Sequence, residues 1–314
     1  MLDGDSDEAL RMALTHARAQ VDQQWRSRML NGEEPTEPEL TVTYIEAASP
    51  RVRYAQFNPR EEGSTGADWL WWFLDKSGAC FGMLIQAKKL KRIDAHWRID
   101  FGFVSGDELQ LNKLLRSSNH LDVPAVYVLY CGDRGYRRGL TCGAHHNERI
   151  CAKCASASVS ALPGLCARYI HEWQLGAPTA FRMATSVEDL VTPGAQGSAI
   201  TDLNLNCVEP ALKQFLLAPQ SGSREVAKKV FAMTSELRKG QYVAASSTMM
   251  PVRSDRVFES FPADRGHYGV SYFDNILRGL KPRIPDEVQE AMNGNPDALL
   301  RIHEELAGIA VFEF

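Results

Sequence analysis

The chain has 314 residues, of which 44% are hydrophobic and 24% charged; this composition is ordinary for a folded protein and excludes wholesale disorder. The formal net charge of −4 excludes a generally basic nucleic-acid binder but leaves room for a local basic patch. The sequence has neither an apolar stretch of the ~20 residues that a membrane helix needs nor a signal-peptide pattern at its start. We therefore expect a cytoplasmic protein of about two domains, or of one enlarged domain.

The first 130 residues predict an α/β arrangement, in the order helix, helix, three strands, helix and strand. The predicted elements are helices over 7–30 and 37–48, strands over 51–56, 67–74 and 80–88, a helix over 106–117 and a strand over 125–130. A turn at Lys76-Ser77-Gly78 joins the second and third strands into an antiparallel hairpin. Ser105 or Asp107 is expected to cap the helix that follows them.

The rest of the chain is less regular. We expect irregular structure from residue 131 to about 155, mixed structure over 155–185 and an exposed loop or a domain join over 192–206. From residue 207 onwards the pattern is mainly helical, and these helices could serve as a dimer interface or a sensor. The apolar end of the chain, at 307–312, is expected to add an edge strand.

Three polar residues on the predicted hairpin point to phosphodiester chemistry. Gln86 and Lys88 lie two apart in a strand and so share one face, and Asp68 begins the neighbouring strand. Asp68 offers the carboxylate oxygen that Mg²⁺ prefers, and Gln86 adds a neutral amide oxygen. Lys88 would orient or help deprotonate the attacking water and offset charge on the phosphate. The basic run that continues with Lys89, Lys91 and Arg92 could follow a phosphate backbone.

The pattern Asp68…Gln86-Ala87-Lys88 on a hairpin, between helices and before a strand, resembles the PD-(D/E)XK nuclease superfamily. The glutamine in place of the usual acid resembles the Mrr-type restriction endonuclease branch. The resemblance covers roughly residues 37–130 and implies a restriction-endonuclease-like core, α-β-β-β-α-β. It further implies an endonuclease dependent on Mg²⁺ or Mn²⁺ that acts on nucleic acid, chiefly DNA, and a role in bacterial antiviral defence. The sequence departs from the family pattern by reading Gly-Ala-Asp at the first motif.

The resemblance also implies two further site residues. Members of the superfamily often add a glutamate from the helix before the strands. Glu39 is the best match here, with Glu46, Glu61 and Glu62 as competitors, and an ordinary surface acid is the alternative for each. Gln110 matches a glutamine that such nucleases often carry on the helix after the third strand; the alternative is an exposed helix residue.

A second constellation lies in the irregular stretch. Cys142, His145, Cys151 and Cys154 have the spacing of a tetrahedral zinc site, in which Cys131 or His146 could replace His145. Reduced cysteines without metal are the main alternative, and a nucleophilic cysteine is a third.

These observations divide the chain into an N-terminal helix (1–36), a nuclease core (37–130), a Cys/His-rich zinc-binding insertion (131–155) and a mixed, then mainly helical C-terminal region (156–314). The predicted function is Mg²⁺-dependent hydrolysis of DNA. The rival hypotheses are a catalytically weak nuclease fold that serves nucleic-acid binding or assembly, and a zinc hydrolase at the cysteine cluster. The chain could also form a homo-oligomer.

Overall fold

A computed structural model describes residues 4–57, 69–141, 151–193, 214–215, 221–245, 272–295, 297–298 and 306–314. The part of the chain so described is a mixed α/β structure built on a central sheet. No helix in these ranges has the combination of length and apolarity that crossing a membrane would require.

The helices and strands are numbered in chain order. The helices are α1 (Gly4–Leu30), α2 (Glu37–Ala47), α3 (Gln110–His120), α4 (Arg134–Thr141), α5 (Ala152–Ser156), α6 (Gly164–Glu172), α7 (Ala177–Met183), α8 (Val187–Leu190), α9 (Gly222–Ala245), α10 (Tyr272–Leu277) and α11 (Asp286–Met292). The strands are β1 (Val52–Gln56), β2 (Trp69–Leu74), β3 (Cys80–Lys89), β4 (Lys91–Ile93), β5 (His96–Arg98), β6 (Val104–Ser105), β7 (Glu108–Leu109), β8 (Ala125–Tyr130), β9 (Val159–Pro163), β10 (Thr185–Ser186), β11 (Leu280–Lys281) and β12 (Gly308–Glu313).

Within the described ranges, eight strands form the central sheet, in the order β1-β12-β2-β3-β8-β9-β10, with β11 paired to the start of β3. The β2–β3 pair is antiparallel, and β3 runs parallel to β8. A parallel pair needs a crossover connection, and the segment that contains α3 supplies it. The strands β4 and β5, and likewise β6 and β7, form small hairpins outside this sheet.

The predicted order α2, β1, β2, β3, α3 and β8 is confirmed, and the α/β class with it. The prediction for the start of α3 was wrong. Gly106 adopts a positive φ of 64° in the turn between β6 and β7, which occupies Ser105 and Asp107. The helix therefore begins at Gln110, after Leu109, which makes no side-chain capping hydrogen bond.

Two further expectations are corrected by the fold. The apolar C-terminal segment is an interior strand, because β12 lies between β1 and β2 and pairs with both. The stretch after residue 130 contains a helix, α4, whose first turn is held by the carboxylate of Asp133 accepting from the Tyr136 backbone N–H at 2.6 Å. Strand β9 also joins the central sheet, so the described residues beyond 156 are partly β-structure.

The core is centred on the aromatic strand β2. Its residues Trp69, Trp71 and Trp72 are buried and pack in the core. Gly82 faces Trp72 across the hairpin, and a Cβ on Gly82 would lie 2.6 Å from the indole ring. The strand needs glycine here because the indole occupies the space that any side chain would fill. Helices therefore cover a sheet whose central strands are buried on both faces.

Candidate active site at the end of strand β3

Gln86 and Lys88 lie together on one face of β3, as their spacing predicted. Both are buried, with 4% and 8% of their surface exposed. The ammonium of Lys88 donates to the side-chain oxygen of Gln110, at the start of α3, over 2.7 Å. The structure thus joins two of the residues that the resemblance implied. Because the acceptor stands on a helix packed against β3, the direction of the Lys88 side chain is set by the fold.

Lys89 serves the opposite face of the strand. Its ammonium donates to the Pro35 carbonyl at 2.7 Å and pairs with Glu34 at 2.9 Å, just before α2. Only 8% of its surface is exposed, so it is not available to a phosphate backbone. The basic run is therefore divided: Lys88 faces α3, Lys89 joins the sheet to the connector before α2, and Arg92 is exposed beyond them.

The backbone of β3 forms a notch where its neighbour β2 begins. The N–H groups of Leu84 and Leu90 donate to carbonyls of the β8 side, at 2.9 and 2.8 Å. Since backbone groups alternate along a strand, the carbonyl of Ala87 and the N–H of Lys89 point the other way, toward the β2 side. The first described residue of β2, Trp69, pairs with Ile85. Ala87 and Lys89 thus lie beyond the described pairing.

The notch is lined by oxygen atoms. Glu37, at the start of α2, accepts the Lys89 N–H at 3.0 Å with one carboxylate oxygen. The amide nitrogen of Gln86 contacts the carbonyl of Ala87 at 3.4 Å. A carboxylate oxygen and a carbonyl oxygen therefore lie at one end of β3, with the Gln86 side-chain amide beside them.

Aromatic side chains from the segment after β5 cover the same face. The Phe103 ring lies over the Lys88 ammonium, 5.4 Å from the ring centroid, a cation–π arrangement. Phe101 packs edge-on against Tyr127, which is the β8 neighbour of Gln86, with ring centroids 5.0 Å apart. Together these two rings partly shield Lys88 and Gln86 from water.

Asp68, the expected carboxylate of the first motif, lies outside the described residues, as do the alternative acids Glu61 and Glu62. Glu46 accepts from the Tyr54 hydroxyl at 3.0 Å, which is a surface contact.

Glu39 is engaged in the capping of α2. One of its oxygens accepts from the Thr36 backbone N–H at 2.8 Å, and the Thr36 side chain caps the Glu39 N–H in return. Its other oxygen pairs with Arg28. The Thr36 N–H, helped by the Thr36 hydroxyl and by Arg28, lowers the pKa of the Glu39 carboxyl below its usual range. These contacts favour a structural role for Glu39.

Glu37 is the acid that the sequence analysis missed. It stands two residues before Glu39, and half a helical turn therefore decides which carboxylate reaches β3. The capping box Thr36-x-x-Glu39 is the signal that could have found it, because a glutamate at that third position turns back to the helix start.

The cysteine cluster is described only in part. Cys142, His145 and His146 lie outside the described residues. Cys151 immediately precedes α5, and Cys154 lies fully buried within it. Searched over the described ranges alone, the structure shows no group of three or more potential metal-binding His, Cys, Asp or Glu residues.

Cys131, the alternative ligand, is buried at the end of β8 with its thiol 3.8 Å from the Asp133 carbonyl. Burial raises the pKa of this thiol to about 12. Arg137 connects the region to the core, since its buried guanidinium pairs with Asp22 at 3.1 Å and donates to the Ala155 carbonyl at 3.2 Å.

A family model described as a family of unknown function, DUF6615, matches residues 7–169, just over half of the chain. The chain belongs to the DUF6615 family. No curated protein and no solved structure matches it. The part that defines DUF6615 in this chain runs from α1 into α6 and includes the notch at β3 and the cysteine cluster, whereas β12 lies outside it.

Proposed function

We propose that the chain is a metal-dependent nuclease that hydrolyses phosphodiester bonds, with DNA as its substrate. The observation that carries the proposal is the pairing of two buried polar residues, Gln86 and Lys88, on one face of β3, with the Lys88 ammonium held 2.7 Å from Gln110. A lysine that is buried and held by a fixed acceptor is positioned for a specific role, and it lies beside a group of oxygen atoms that could bind a cation.

The order of elements supports a restriction-endonuclease-like core. An α2, three strands, α3 and a further strand parallel to the third reproduce the α-β-β-β-α-β order, and the lysine stands on the third strand. Strand β12 lies between β1 and β2, an insertion that the predicted α-β-β-β-α-β order does not contain. The β2–β3 hairpin is antiparallel, as predicted, and β8, which borders the candidate site, pairs with β3 in parallel.

The donor set at the notch fits Mg²⁺ or Mn²⁺. These cations prefer oxygen ligands, which the Ala87 carbonyl and the Glu37 carboxylate supply at the notch, and the Gln86 side chain carries a third oxygen. Asp68, the covalent neighbour of Trp69, would add a second carboxylate. A bound divalent cation would lower the pKa of a water molecule and offset charge on the scissile phosphate.

The chain's own residues would then do three things. Lys88 would hold the attacking water and stabilise the charge that develops on a phosphate oxygen. Gln110 positions that ammonium, because its side-chain oxygen accepts one of the three N–H groups and so orients the other two. Phe101 and Phe103 limit access of bulk water, which strengthens the electrostatic interactions beneath them.

The zinc site is a separate part of the proposal. Cys142, His145, Cys151 and Cys154 would hold one structural Zn²⁺ in the insertion after β8, and the buried Arg137 contact at Ala155 would join that unit to α1. By its resemblance to restriction enzymes, the nuclease would act in defence against foreign DNA.

Incubation of the purified protein with supercoiled plasmid, with and without Mg²⁺, tests the function. We expect nicked or linear DNA only with the cation, and no product from the Asp68→Ala or Lys88→Ala variants. An Arg283→Ala variant, which removes an exposed arginine that pairs with Asp286, serves as control. Plasmid binding without cleavage at any Mg²⁺ or Mn²⁺ concentration would support the alternative, a nucleic-acid-binding module that has lost catalysis.

A further inference from the structure

A groove of about 640 Å³ opens beside the end of β3, between α1, the β4–β5 hairpin and the start of α4. We name it the α1–α4 groove. It combines arginines with large apolar side chains: Trp25, Arg26, Leu30, Arg92, Trp97 and Arg134. Leu90, which also lines it, stands two residues beyond Lys88, about 7 Å along an extended strand. The groove is thus next to the candidate active site.

The acidic side chains that line the groove have partners within the protein, whereas two of its arginines are exposed. Its two acids already have structural partners: Glu34 pairs with Lys89, and Asp133 holds the first turn of α4. Arg134 is exposed, and among the described residues it forms no ion pair. Arg92 is exposed as well, with its guanidinium 5.7 Å from the centroid of the Trp97 ring. The groove therefore offers positive charge to a ligand.

The apolar residues decide the kind of ligand. The Leu30 side chain is 88% exposed and that of Met29 52%, at the rim, while Trp25 and Leu90 lie buried beneath. A duplex presents phosphates outward and keeps its bases stacked inside, so it cannot use an apolar groove. A single strand presents both a charged backbone and exposed base faces, which match arginines beside tryptophan and aliphatic side chains.

We propose that the α1–α4 groove binds an unpaired strand of nucleic acid, with Arg92 and Arg134 on its phosphates and bases against Trp97 and Leu30. This proposal rests on the proposed nuclease function, because it supplies the path by which a strand would reach Lys88. It narrows the substrate class to DNA that is single-stranded next to the scissile phosphate.

Fluorescence anisotropy in the presence of EDTA tests the proposal without cleavage. The probes are a fluorescein-labelled 20-residue oligothymidylate and a blunt duplex of equal length. For the Arg92→Ala/Arg134→Ala double variant we expect single-strand affinity to fall at least about tenfold, with a salt slope lower by about 1.4 for two lost phosphate contacts. The matched control, Arg53→Ala/Arg283→Ala, removes two exposed arginines from ion pairs elsewhere and should bind like the wild type.

Three results would overturn the groove assignment: equal affinity of the double variant and the wild type, preference of the wild type for the blunt duplex, or no binding of either probe. If neither probe binds, an acidic peptide becomes the candidate ligand of the groove. The plasmid experiment is read separately. If the wild type never cleaves the plasmid but the double variant loses single-strand binding, the groove is supported and the nuclease is rejected. If the double variant binds and cleaves like the wild type in Mg²⁺, the nuclease is supported and the groove is rejected.

Discussion

The side-chain oxygen of Gln110 lies 2.7 Å from the ammonium of Lys88, and Gln110 is itself fixed at the first position of α3. Its backbone N–H donates to the Phe103 carbonyl at 3.0 Å, so the same short segment orients Gln110 and covers Lys88 with the Phe103 ring. The hairpin β6–β7 brings this segment to the helix start. A turn that the sequence analysis overlooked thus organises the candidate site.

Two adjacent lysines permit a sharp test of the site. Lys88→Ala should reduce Mg²⁺-dependent cleavage by at least about 100-fold with little change in melting temperature, because it removes charge at the reacting phosphate. Lys89→Ala should instead destabilise the fold by about 1–3 kcal/mol, since it leaves Glu34 and the Pro35 carbonyl without their donor. Plasmid nicking and thermal unfolding of both variants provide the readouts. The assignment fails if Lys88→Ala cleaves like the wild type.

Gln86→Glu should be tolerated and should tighten Mg²⁺ binding. The substitution keeps the shape of the side chain and adds a carboxylate at a buried position, where a charge is stabilised only by a nearby cation. We therefore expect Mg²⁺ to raise the melting temperature of this variant more than that of the wild type, and half-maximal cleavage to need less Mg²⁺. A folded Gln86→Glu protein that requires far more Mg²⁺ would contradict the ligand role of this side chain.

Local pattern was sufficient for most of the candidate site. Period-two spacing placed Gln86 and Lys88 on one face, the Lys76-Ser77-Gly78 turn produced the β2–β3 hairpin, and the apolar run of β8 formed the predicted strand. Each of these features depends on residues close in sequence. The same holds for α1 and α2, whose predicted ranges of 7–30 and 37–48 lie close to the observed Gly4–Leu30 and Glu37–Ala47.

The pairing of strands that are far apart in sequence could not be predicted from local pattern. Strand β12 pairs with β1 through contacts such as Val52 with Phe312, which are separated by most of the chain. An apolar run of six residues fits an edge or an interior strand equally well, because periodicity reports burial but not the partner. The choice between Glu37 and Glu39 was similarly hidden, since it depends on which carboxylate the capping box turns away from β3.

Glu37→Gln should raise the Mg²⁺ concentration needed for half-maximal cleavage by about tenfold, because it removes one of the anionic ligands of the notch. The glutamine oxygen can still accept the Lys89 N–H, so the fold should be preserved. Glu39→Gln is the matched control: it keeps a side chain suited to the capping box and should leave the Mg²⁺ requirement unchanged. If Glu39→Gln raises the Mg²⁺ requirement and Glu37→Gln does not, Glu39 is the additional acid of the site.

Glu39 should instead contribute to stability in a pH-dependent way. The Thr36 N–H, the Thr36 hydroxyl and Arg28 lower the pKa of its carboxyl in the folded state, so its contribution is present above the ordinary value of 4.5 and is lost as the pH falls through the lowered folded pKa. The wild type should therefore have a higher urea midpoint than Glu39→Gln at pH 7. The difference should shrink as the pH falls below 4.5; a constant difference would show that charge is not its source.

The cysteine insertion should hold about one Zn²⁺ per chain in a closed structural site. The grounds are the Cys151-x-x-Cys154 pair at the start of α5 and the upstream Cys142 and His145, which together have the spacing of a tetrahedral zinc site. Elemental analysis of protein purified without chelator should find this zinc. Cys151→Ser should lose it, whereas Cys166→Ala, a buried cysteine beside α9, should retain it.

Loss of that zinc should act through stability. A closed tetrahedral site has no position for substrate. The contacts of Arg137 with Asp22 and with the Ala155 carbonyl connect the end of this insertion to α1 rather than to Lys88. Chelation or Cys151→Ser should therefore lower the melting temperature and expose residues 131–155 to protease, with cleavage declining only as the protein unfolds. Protein isolated without zinc would refute the metal site. Zinc whose removal stops cleavage without changing stability would move the catalytic centre from β3 to the cysteine cluster.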